Sequence, residues 1–547
     1  MSAPPVDDAR VVASALDRYT DAAVAAAAAL TANGERIDDH QVVVERVATA
    51  ATDARAARSL IAALDAHPDG DAGFRDPACA AIADLARSAR ACLDPIADEL
   101  GLPDDAYPPE VRAALRRVGR EDVVRAIGRA VAASRGKNSW PLEPTLAEVR
   151  ASVRQFADRE IAPHAEHIHR HDDLVPDRFI TAMADLGYFG LSVPEAYGGH
   201  ELGNLAMILT TEELSRASLA SAGSLITRPE ILAKALLAGG TEAQKQRWLP
   251  LLAAGERMVA ISVTEPNVGS DVAAVACRAT PTIVDGVAGY AITGAKAWCT
   301  FAGRADVIAL LARTDPDPKK GGRGLSLFIV EKPRFDGHDF ATTQPGGGTL
   351  SGKADRTPGY RGMHSFTLAF DDYFVPTSNL VGEDAGLGRG FYLQMAGFAA
   401  GRLQTGGRAC GVAQAALERT AEYVAARSQF GQPIIEYGLT QHQLGRMACR
   451  LAAARAITYE AALAMDADER AAAPLAAQAK LFACDAAVEI TQLGQVLHGG
   501  WGYAEEYPIS RYVIDALVLP IFEGVRPVLA LKVVGRALLA GRATPAR

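Results

Sequence analysis

The chain has 547 residues, of which 49% are hydrophobic and 22% are charged, and its formal net charge is −9. This length exceeds what one hydrophobic core supports, so we expect two to four packed domains in an ordered chain. The acidic balance argues against a nucleic-acid-binding protein, and the lack of a run of about 18 apolar residues argues against a membrane span.

The start of the chain and its cysteines predict a cytoplasmic protein. The first ten residues, MSAPPVDDAR, carry acids where a secretory signal has a basic segment followed by an apolar one. The seven cysteines are scattered and include no C-x-x-C pair. Structural disulfides and a cysteine-ligated zinc site are therefore not expected.

Residues 1–135 are predicted to form a helical module that precedes the rest of the protein. Two apolar stripes recur at helical spacing: Val111, Leu115 and Val118, then Val124, Ile127 and Val131. Turn signals at 67–70 and 107–109 separate its helices, and the polar segment 134–139 is a predicted linker.

The remainder of the chain is predicted to be helical, then rich in strands, then helical again. The expected domains are a helical domain at 140–257, an antiparallel β domain at 258–380 and a helical domain at 388–540. The fold class is therefore α+β, mainly α.

Local patterns place individual elements within these domains. The predicted strands are Val259–Thr264, Tyr290–Thr293, Val307–Leu311, Leu325–Val330 and Phe366–Phe370. Three capping boxes, at Thr145, Thr241 and Thr440, predict helix starts, because each threonine is followed three residues later by Glu or Gln.

Several common cofactor and metal motifs are missing or weak. The glycines at 386, 388 and 390 lack the dinucleotide spacing, 346–348 is not followed by Lys-Ser/Thr, and no G-x-S-x-G elbow occurs. Histidines 164, 167, 169 and 171 lie among Arg and Asp residues, which favours a solvated helix end over a metal site. No metal is expected.

Three segments remain as candidates for chemistry. The loop Val263–Asp271 offers backbone N–H groups and hydroxyls to a polar cofactor, although a capped turn is equally compatible. Trp298 beside Thr300 suits a flat ring system, although a core tryptophan is the ordinary interpretation. The paired glycines at 499–500 permit close approach of a ligand, and Glu523 follows an apolar run as a candidate general base, with a surface glutamate as the alternative.

In this order and at this spacing, the segments resemble the flavin-dependent acyl-CoA dehydrogenases. The residues that carry the resemblance are Thr264-Glu265-Pro266, Gly269-Ser270-Asp271, Trp298-x-Thr300, Arg427-x-x-Phe430-Gly431, Gly499-Gly500-x-Gly502-Tyr503 and Phe522-Glu523-Gly524. The resemblance covers about residues 140–540 and implies a helical domain, a β domain and a C-terminal four-helix bundle, here preceded by an extra helical domain.

The resemblance also implies roles for individual residues. The catalytic base would be Glu523, since Gly401 occupies the helix position that holds the base in some relatives. FAD would be bound by Val263, Thr264, Ser270, Trp298, Thr300 and Val525. The ADP half of the FAD that belongs to a neighbouring subunit would be bound by Arg427, Phe430, His498, Gly499 and Gly500. The substrate would be contacted by Ser270, Arg228, Arg402 and Gly524.

The implied reaction is the α,β-dehydrogenation of an acyl-CoA, with electrons passed to an electron-transferring flavoprotein, in a homodimer or homotetramer. The chain departs from the usual family motifs at Val496, Val525, Pro527 and Ala399. These changes alter the expected adenine and CoA contacts, and they leave Glu523, Trp298 and Thr300 unaffected.

The extra N-terminal residues and the tract Gly359–Ser365 resemble those of one branch of this family. That resemblance implies a short branched dicarboxylic substrate, (2S)-methylsuccinyl-CoA, with mesaconyl-CoA as product, in the ethylmalonyl-CoA route. A buried substrate carboxylate needs a cation, for which Arg228 is the candidate; the alternative is a surface arginine before a helix break at Pro229. Alternatives that remain open are a dehydrogenase of a plain short or branched acyl-CoA, an oxidase that uses oxygen, and a non-enzymatic flavin- and DNA-binding protein of this fold. The role of the extension is also open.

Overall fold

The computed structural model describes residues 4–540, which form two compact units. The first comprises the described parts of 1–151 and 405–547, and the second comprises 152–404. Within this described range, no helix combines the length and the apolar character that a membrane crossing requires.

The N-terminal extension is helical, as its periodicity predicts. Its helices are α1 (Val6–Leu30), α2 (Gln41–Ala66), α3 (Ala72–Leu93), α4 (Ala97–Leu100), α5 (Pro109–Val118) and α6 (Glu121–Ala133). The predicted turn at 67–70 lies between α2 and α3, and the one at 107–109 lies before α5 and includes its first residue, Pro109. The two predicted stripes face inward, with Val111, Val118, Val124 and Ile127 buried and the other two members partly so.

The next helices precede the strands along the chain. They are α7 (Pro144–Phe156), α8 (Ala162–His171), α9 (Asp177–Asp185), α10 (Gly203–Ala217), α11 (Thr227–Gly239) and α12 (Glu242–Ala253). The Thr241 capping box is confirmed, because the Gln244 N–H donates to Thr241 Oγ1 at 3.3 Å and the Thr241 N–H donates to Gln244 Oε1 at 3.1 Å.

The strands form one eight-stranded sheet. They are β1 (Val259–Ser262), β2 (Arg278–Val284), β3 (Val287–Thr300), β4 (Val307–Arg313), β5 (Leu325–Glu331), β6 (Asp339–Thr343), β7 (Thr349–Ala354) and β8 (Ser365–Pro376). Their order is β1-β4-β2-β3-β8-β7-β6, with β5 paired to β4. Most pairings are antiparallel, but β4 runs parallel to both β1 and β2, which corrects the wholly antiparallel expectation.

The five predicted strands are present, whereas β2, β6 and β7 were not predicted. β1 ends at Ser262, two residues earlier than expected, so Thr264 lies in the following loop. β2 contains Pro281, and β6 and β7 are short with several exposed polar residues. Such segments lack the apolar alternation on which strand prediction depends.

The C-terminal part begins with the long helix α13 (Gly390–Ala426), which is followed by a small hairpin of β9 (Ser428–Gln429) and β10 (Gln432–Pro433). The helices after the hairpin are α14 (Gly438–Ala467), α15 (Glu469–Leu497), α16 (Gly500–Tyr503), α17 (Ile509–Ala516), α18 (Arg526–Val528) and α19 (Arg536–Ala540). A π-helical stretch, Leu529–Gly535, joins the last two into one continuous helix.

Two of the predicted capping boxes are wrong. Helix α7 begins at Pro144 and α14 at Gly438, so Thr145 and Thr440 lie inside the first turn of each helix. Proline is pre-organised for the first helical position, and the Gln441 N–H donates to the Tyr437 carbonyl at 3.1 Å, so both helices start before the threonine.

The extension packs directly against the C-terminal helices within the first unit. Helices α6 and α14 cross at two glycines: a Cβ on Gly128 would lie 1.8 Å from the Gln441 carbonyl oxygen, and one on Gly445 would lie 2.1 Å from that of Val124. A second contact joins α2 and α15 to the last helix through Ala48, Leu481, Leu529, Ala530 and Val534. The extension therefore shares one core with these helices.

Candidate active site

The segment around Glu523 connects α17 to α18 and holds an unusual backbone conformation. Glu523 has φ +55° and Gly524 has φ +106°. A glutamate in the left-handed region costs about 1 kcal/mol, and such strain persists only where surrounding contacts impose it. The Glu523 side chain is partly buried. Backbone strain of this kind is found at functional sites, although other acidic residues of this chain, such as Asp285 and Asp372, also have positive φ.

Two buried cations hold this segment. The Lys480 ammonium, whose side chain is fully buried, donates to the Gly524 carbonyl at 2.6 Å. On the other side of the glutamate, the guanidinium of buried Arg408 lies 4.7 Å from the centre of the Phe522 ring. The residues before and after Glu523 are thus both fixed, which restricts where its carboxyl group can lie.

The extension also contacts this segment. Val525 lies directly before α18, and Arg526 is the first residue of that helix. The Arg526 guanidinium donates to Asp485 Oδ2 at 2.8 Å and to Glu45 Oε1 at 2.7 Å. Because Glu45 lies on α2, a residue of the extension helps to anchor the helix that begins directly after Glu523.

The Arg427–Gly431 motif forms the β9–β10 hairpin. Phe430 and Gly431 are its two turn residues, with φ +51° and +88°, and the Phe430 side chain is 96% exposed. Positive φ at both positions is the requirement of a type I′ turn, which explains the glycine. Arg427 is exposed at the base of the hairpin.

The hairpin and the Gly499–Gly500 turn are connected through Tyr423. Its hydroxyl donates to the His498 carbonyl at 3.0 Å, its ring stacks on that of His498 at 4.2 Å, and its carbonyl accepts the Arg427 N–H at 2.8 Å. A Cβ on Gly499 or Gly500 would meet nothing within 4 Å. Packing therefore does not require these glycines, and the space beside them is open to a ligand.

In the second unit, a buried ion pair ties the Val263–Asp271 loop to β3. The Lys296 ammonium donates to the Val263 carbonyl at 2.9 Å and to Glu265 Oε1 at 3.0 Å. The Thr264 carbonyl accepts the Ala297 N–H at 2.9 Å, and Ser270 is exposed further along the loop. The loop is thus fixed against the strand residues that immediately precede Trp298.

Trp298 is presented outward by an irregularity in β3. The β3–β8 register shifts between Lys296 and Cys299, and Trp298 has φ +59° with 59% of its side chain exposed. A bulge re-aims a side chain in this manner, and such bulges are frequent beside functional sites. Thr300 is buried two residues later and shares a hydrogen bond of 2.9 Å with the Ser365 hydroxyl.

Arg228 is buried in the first turn of α11, and its Nη2 donates to the Tyr360 hydroxyl at 3.3 Å. The alternative of a surface arginine before a helix break is therefore wrong: Pro229 lies within the helix, at a position where a missing N–H is tolerated. Tyr360 belongs to the Gly359–Ser365 tract, so the structure brings together Arg228 and this tract, which sequence analysis treated as separate features. Arg402 is partly buried on α13.

The histidine cluster agrees with a solvated helix end only in part. His167 and His171 are exposed and their rings stack at 4.1 Å, whereas His169 is buried and its carbonyl accepts from Arg361. Sequence reasoning missed Lys296, Lys480 and Arg408. For Lys480, the available signal was a single lysine within the apolar, alanine-rich run 471–484. A lysine that is buried in such a run needs a fixed partner.

These arrangements fit a large cofactor with an aromatic ring system. Trp298 and Phe430 are exposed aromatic groups on strained backbone, and the glycine turn leaves room for the close approach of a phosphate-bearing ligand. FAD has both a flat ring and a pyrophosphate. Trp298 in the second unit, and Phe430 and the glycine pair in the first, have the exposure and the open space that such a cofactor requires.

Comparison with known proteins gives consistent matches. Models of the N-terminal, middle and C-terminal domains of acyl-CoA dehydrogenase match residues 143–256, 260–373 and 388–539. The (2S)-methylsuccinyl-CoA dehydrogenase of Cereibacter sphaeroides is 38% identical over 460 residues, which is 83% of this chain and 80% of that protein.

Solved structures also match. Butyryl-CoA dehydrogenase from Megasphaera elsdenii superposes with a TM-score of 0.66 at 30% identity, over 74% of this chain and 100% of its own. A structure described as the electron transferring flavoprotein of Acidaminococcus fermentans gives a TM-score of 0.66 at 30% identity, over 73% of this chain and 99% of its own.

Proposed function

The chain belongs to the acyl-CoA dehydrogenase family, and we propose that it oxidises (2S)-methylsuccinyl-CoA to mesaconyl-CoA. It is a FAD-dependent oxidoreductase, as the members of this family are. The observation that carries the choice of substrate is the buried Arg228–Tyr360 pair.

A buried guanidinium favours a substrate that carries a second carboxylate. Moving either charge out of water is costly, and the two compensate each other when they form a charge-assisted hydrogen bond. Tyr360 orients the guanidinium through its hydroxyl. A plain butyryl or isobutyryl chain offers no such partner, so it gains nothing from this arginine.

The match to the methylsuccinyl-CoA dehydrogenase supports the same substrate. It covers 83% of the chain, which is more than residues 143–547 alone provide, so the similarity reaches into the N-terminal extension. By contrast, the match to the Megasphaera butyryl-CoA dehydrogenase covers 74% of the chain. Part of the extension is thus shared with an enzyme of this substrate class.

In the proposed mechanism, Glu523 removes the proton from the substrate α-carbon, and its carboxylate becomes a carboxylic acid. FAD, when bound, supplies the two-electron acceptor for the hydride that leaves the β-carbon. The Glu523 N–H donates to the thioester carbonyl oxygen, where negative charge develops, and Arg228 holds the distal carboxylate. Ser270, Arg402 and Gly524 complete the substrate contacts, and Lys480 and Arg408 fix the segment that carries the base.

The cofactor residues divide into two sets. Val263, Thr264, Ser270, Trp298, Thr300 and Val525 would bind FAD, and Arg427, Phe430, His498, Gly499 and Gly500 would bind the ADP half of a FAD held by a second copy of the chain. The exposure of Phe430 supports this homodimer, since a large apolar side chain at a hairpin tip is suited to an interface. The electron acceptor we propose is an electron-transferring flavoprotein.

The test is anaerobic bleaching of the flavin by individual substrates. Holoenzyme is mixed with methylsuccinyl-CoA, butyryl-CoA and isobutyryl-CoA, and flavin absorbance is followed by stopped flow. We expect methylsuccinyl-CoA to bleach the flavin fastest; a faster reaction with butyryl-CoA overturns the proposed substrate. Peroxide formation during aerobic turnover, at the rate of substrate oxidation, would identify an oxidase instead.

A further inference from the structure

A cavity of about 420 Å³ in the second unit contains two histidines and an aspartate at close range. Asp172 ends α8, His338 precedes β6 and His364 precedes β8. One potential ligand atom from each lies within 4.8 Å of the other two. Asp172 Oδ1 is 3.2 Å from His364 Nε2, and the two imidazole rings lie 4.4 Å apart at 44°. Three separate chain segments therefore converge on one point.

The contact between His364 and Asp172 pairs a ring nitrogen with a carboxylate oxygen. His364 Nδ1 lies 3.3 Å from the Gly362 carbonyl, which only accepts, so a proton on Nδ1 makes a hydrogen bond there. When Nδ1 holds that proton and the ring is neutral, Nε2 presents a lone pair to the carboxylate oxygen of Asp172. Two lone pairs at this distance repel unless a proton or a metal ion lies between them.

The groups that hold His364 in place are of the kind that hold histidine ligands in metal sites. A ligating imidazole almost always donates its other N–H to a carbonyl or carboxylate, which fixes the ring and its tautomer, and Gly362 provides that group here. The Phe301 N–H donates to the His364 carbonyl at 2.8 Å and fixes the backbone as well. In the tautomer that donates to Gly362, His364 presents Nε2 for ligation.

The surrounding charges favour an imidazole-preferring metal over calcium or magnesium. The cavity wall carries as many basic as acidic residues: Lys353, Arg356 and Arg361 against Asp172, Asp339 and Asp355. Arg361 Nε lies 3.4 Å from Asp172 Oδ1, but its guanidinium also donates to the carbonyls of Thr357 and His169. Hard cations need several carboxylates, whereas two imidazoles and one carboxylate suit zinc or nickel.

We propose that Asp172, His338 and His364 bind a divalent transition-metal ion of the zinc class. The ion stabilises the tract Gly359–Ser365, because His364 lies in it. The same tract contacts Arg228 through Tyr360 and Thr300 through Ser365, so the ion anchors a segment that reaches two predicted site residues. The ion has a structural role, and its ligands are distant from Glu523 in the sequence.

The test uses untagged holoenzyme from which metals have been removed with a chelator. Zinc is titrated by calorimetry, and cobalt is added as a spectroscopic probe whose visible bands report nitrogen and oxygen ligation. We expect about one zinc ion per chain and a higher unfolding temperature with zinc, because an ion that binds only the folded state stabilises it. His338→Ala and His364→Ala should lose this zinc, and Asp172→Asn should bind it more weakly.

A matched double variant, His167→Ala with His171→Ala, removes the exposed stacked pair of the same unit and should retain the zinc. His338 is exposed, so His338→Ala is expected to fold, and its unfolding temperature without metal serves as the check. Loss of zinc in the double variant and not in His338→Ala would assign binding to the surface pair. No saturable binding by the wild-type protein would show that a proton, not a metal, joins His364 to Asp172. Either result overturns the proposal.

Discussion

Arg228 and Tyr360 are 132 residues apart in the sequence, yet the Arg228 guanidinium donates to the Tyr360 hydroxyl at 3.3 Å, and both side chains are buried. Tyr360 adopts φ +58°, a conformation that a tyrosine takes only when its surroundings impose it. The phenol thereby holds the guanidinium in one orientation. Geometry of this kind supports selection of a charged group over an apolar one.

Replacement of Arg228 should therefore separate dicarboxylic from plain substrates. Arg228→Ala is expected to raise KM for methylsuccinyl-CoA by about 100-fold, because the substrate carboxylate loses its buried partner, and to change KM for butyryl-CoA much less. Arg228→Lys should give an intermediate effect, since lysine lacks the planar fork. Steady-state kinetics with both substrates measures the ratio.

Tyr360→Phe provides the milder variant, in which the arginine remains. Removal of one hydrogen bond should raise KM for methylsuccinyl-CoA by about fivefold without a change for butyryl-CoA. Arg159→Ala, at an exposed position of the same unit, is the control and should leave both values unchanged. Equal effects of Arg228→Ala on the two substrates would contradict a carboxylate-binding role.

A second prediction concerns the base. Glu523→Gln keeps the shape of the side chain but cannot accept the α-proton, so bleaching by the best acyl-CoA should slow by about 1000-fold. FAD content and unfolding temperature should match those of the wild-type enzyme. Glu506→Gln, at an exposed position of the same unit, serves as the control. A Glu523→Gln enzyme that bleaches at the wild-type rate would remove this residue from the mechanism.

A third prediction tests the segment that carries the base. Lys480→Met removes the donor that lies 2.6 Å from the Gly524 carbonyl and leaves that oxygen without this hydrogen bond. We expect kcat to fall by about tenfold with little change in KM, because the glutamate is less well placed while the substrate contacts remain. Lys532→Met, at the exposed pair with Asp38, is the matched lysine control. A fall in unfolding temperature with unchanged kcat would make the role of Lys480 purely structural.

The sequence is informative where chemistry is local. Thr241 and Gln244, Phe430 and Gly431, and the glycine pair at 499–500 act within a few residues of one another, and their conformations follow from short-range rules. The order of such motifs along the chain carries the family resemblance, and that resemblance predicts the fold.

Contacts between distant segments are what the sequence does not reveal. Lys480 meets Gly524 across 44 residues, and Arg526 meets Glu45 across 481. Nothing in the spacing of these residues predicts that they pair, because tertiary packing of α2, α15 and α18 brings them together. The anchoring of the Glu523 segment by the N-terminal extension is a finding of this kind.

The last prediction concerns pH and the buried Asp53 on α2. Burial raises the pKa of this carboxyl from 3.8 to about 6, against the opposing influence of nearby Arg450 and of a hydrogen bond from Ser88, with Asp485 and Arg526 also close. Because the folded pKa lies above the unfolded one, the folded state holds this proton more tightly. The resulting stabilisation is complete below pH 3.8 and is lost as the pH rises through about 6, a change of about 3 kcal/mol. Asp53→Asn carries no such charge, so its unfolding temperature should rise relative to that of the wild-type protein between pH 4 and about pH 7 and then stay level. Asp69→Asn, at an exposed position between α2 and α3, should show no such trend, and a flat difference for Asp53→Asn as well would contradict the assignment.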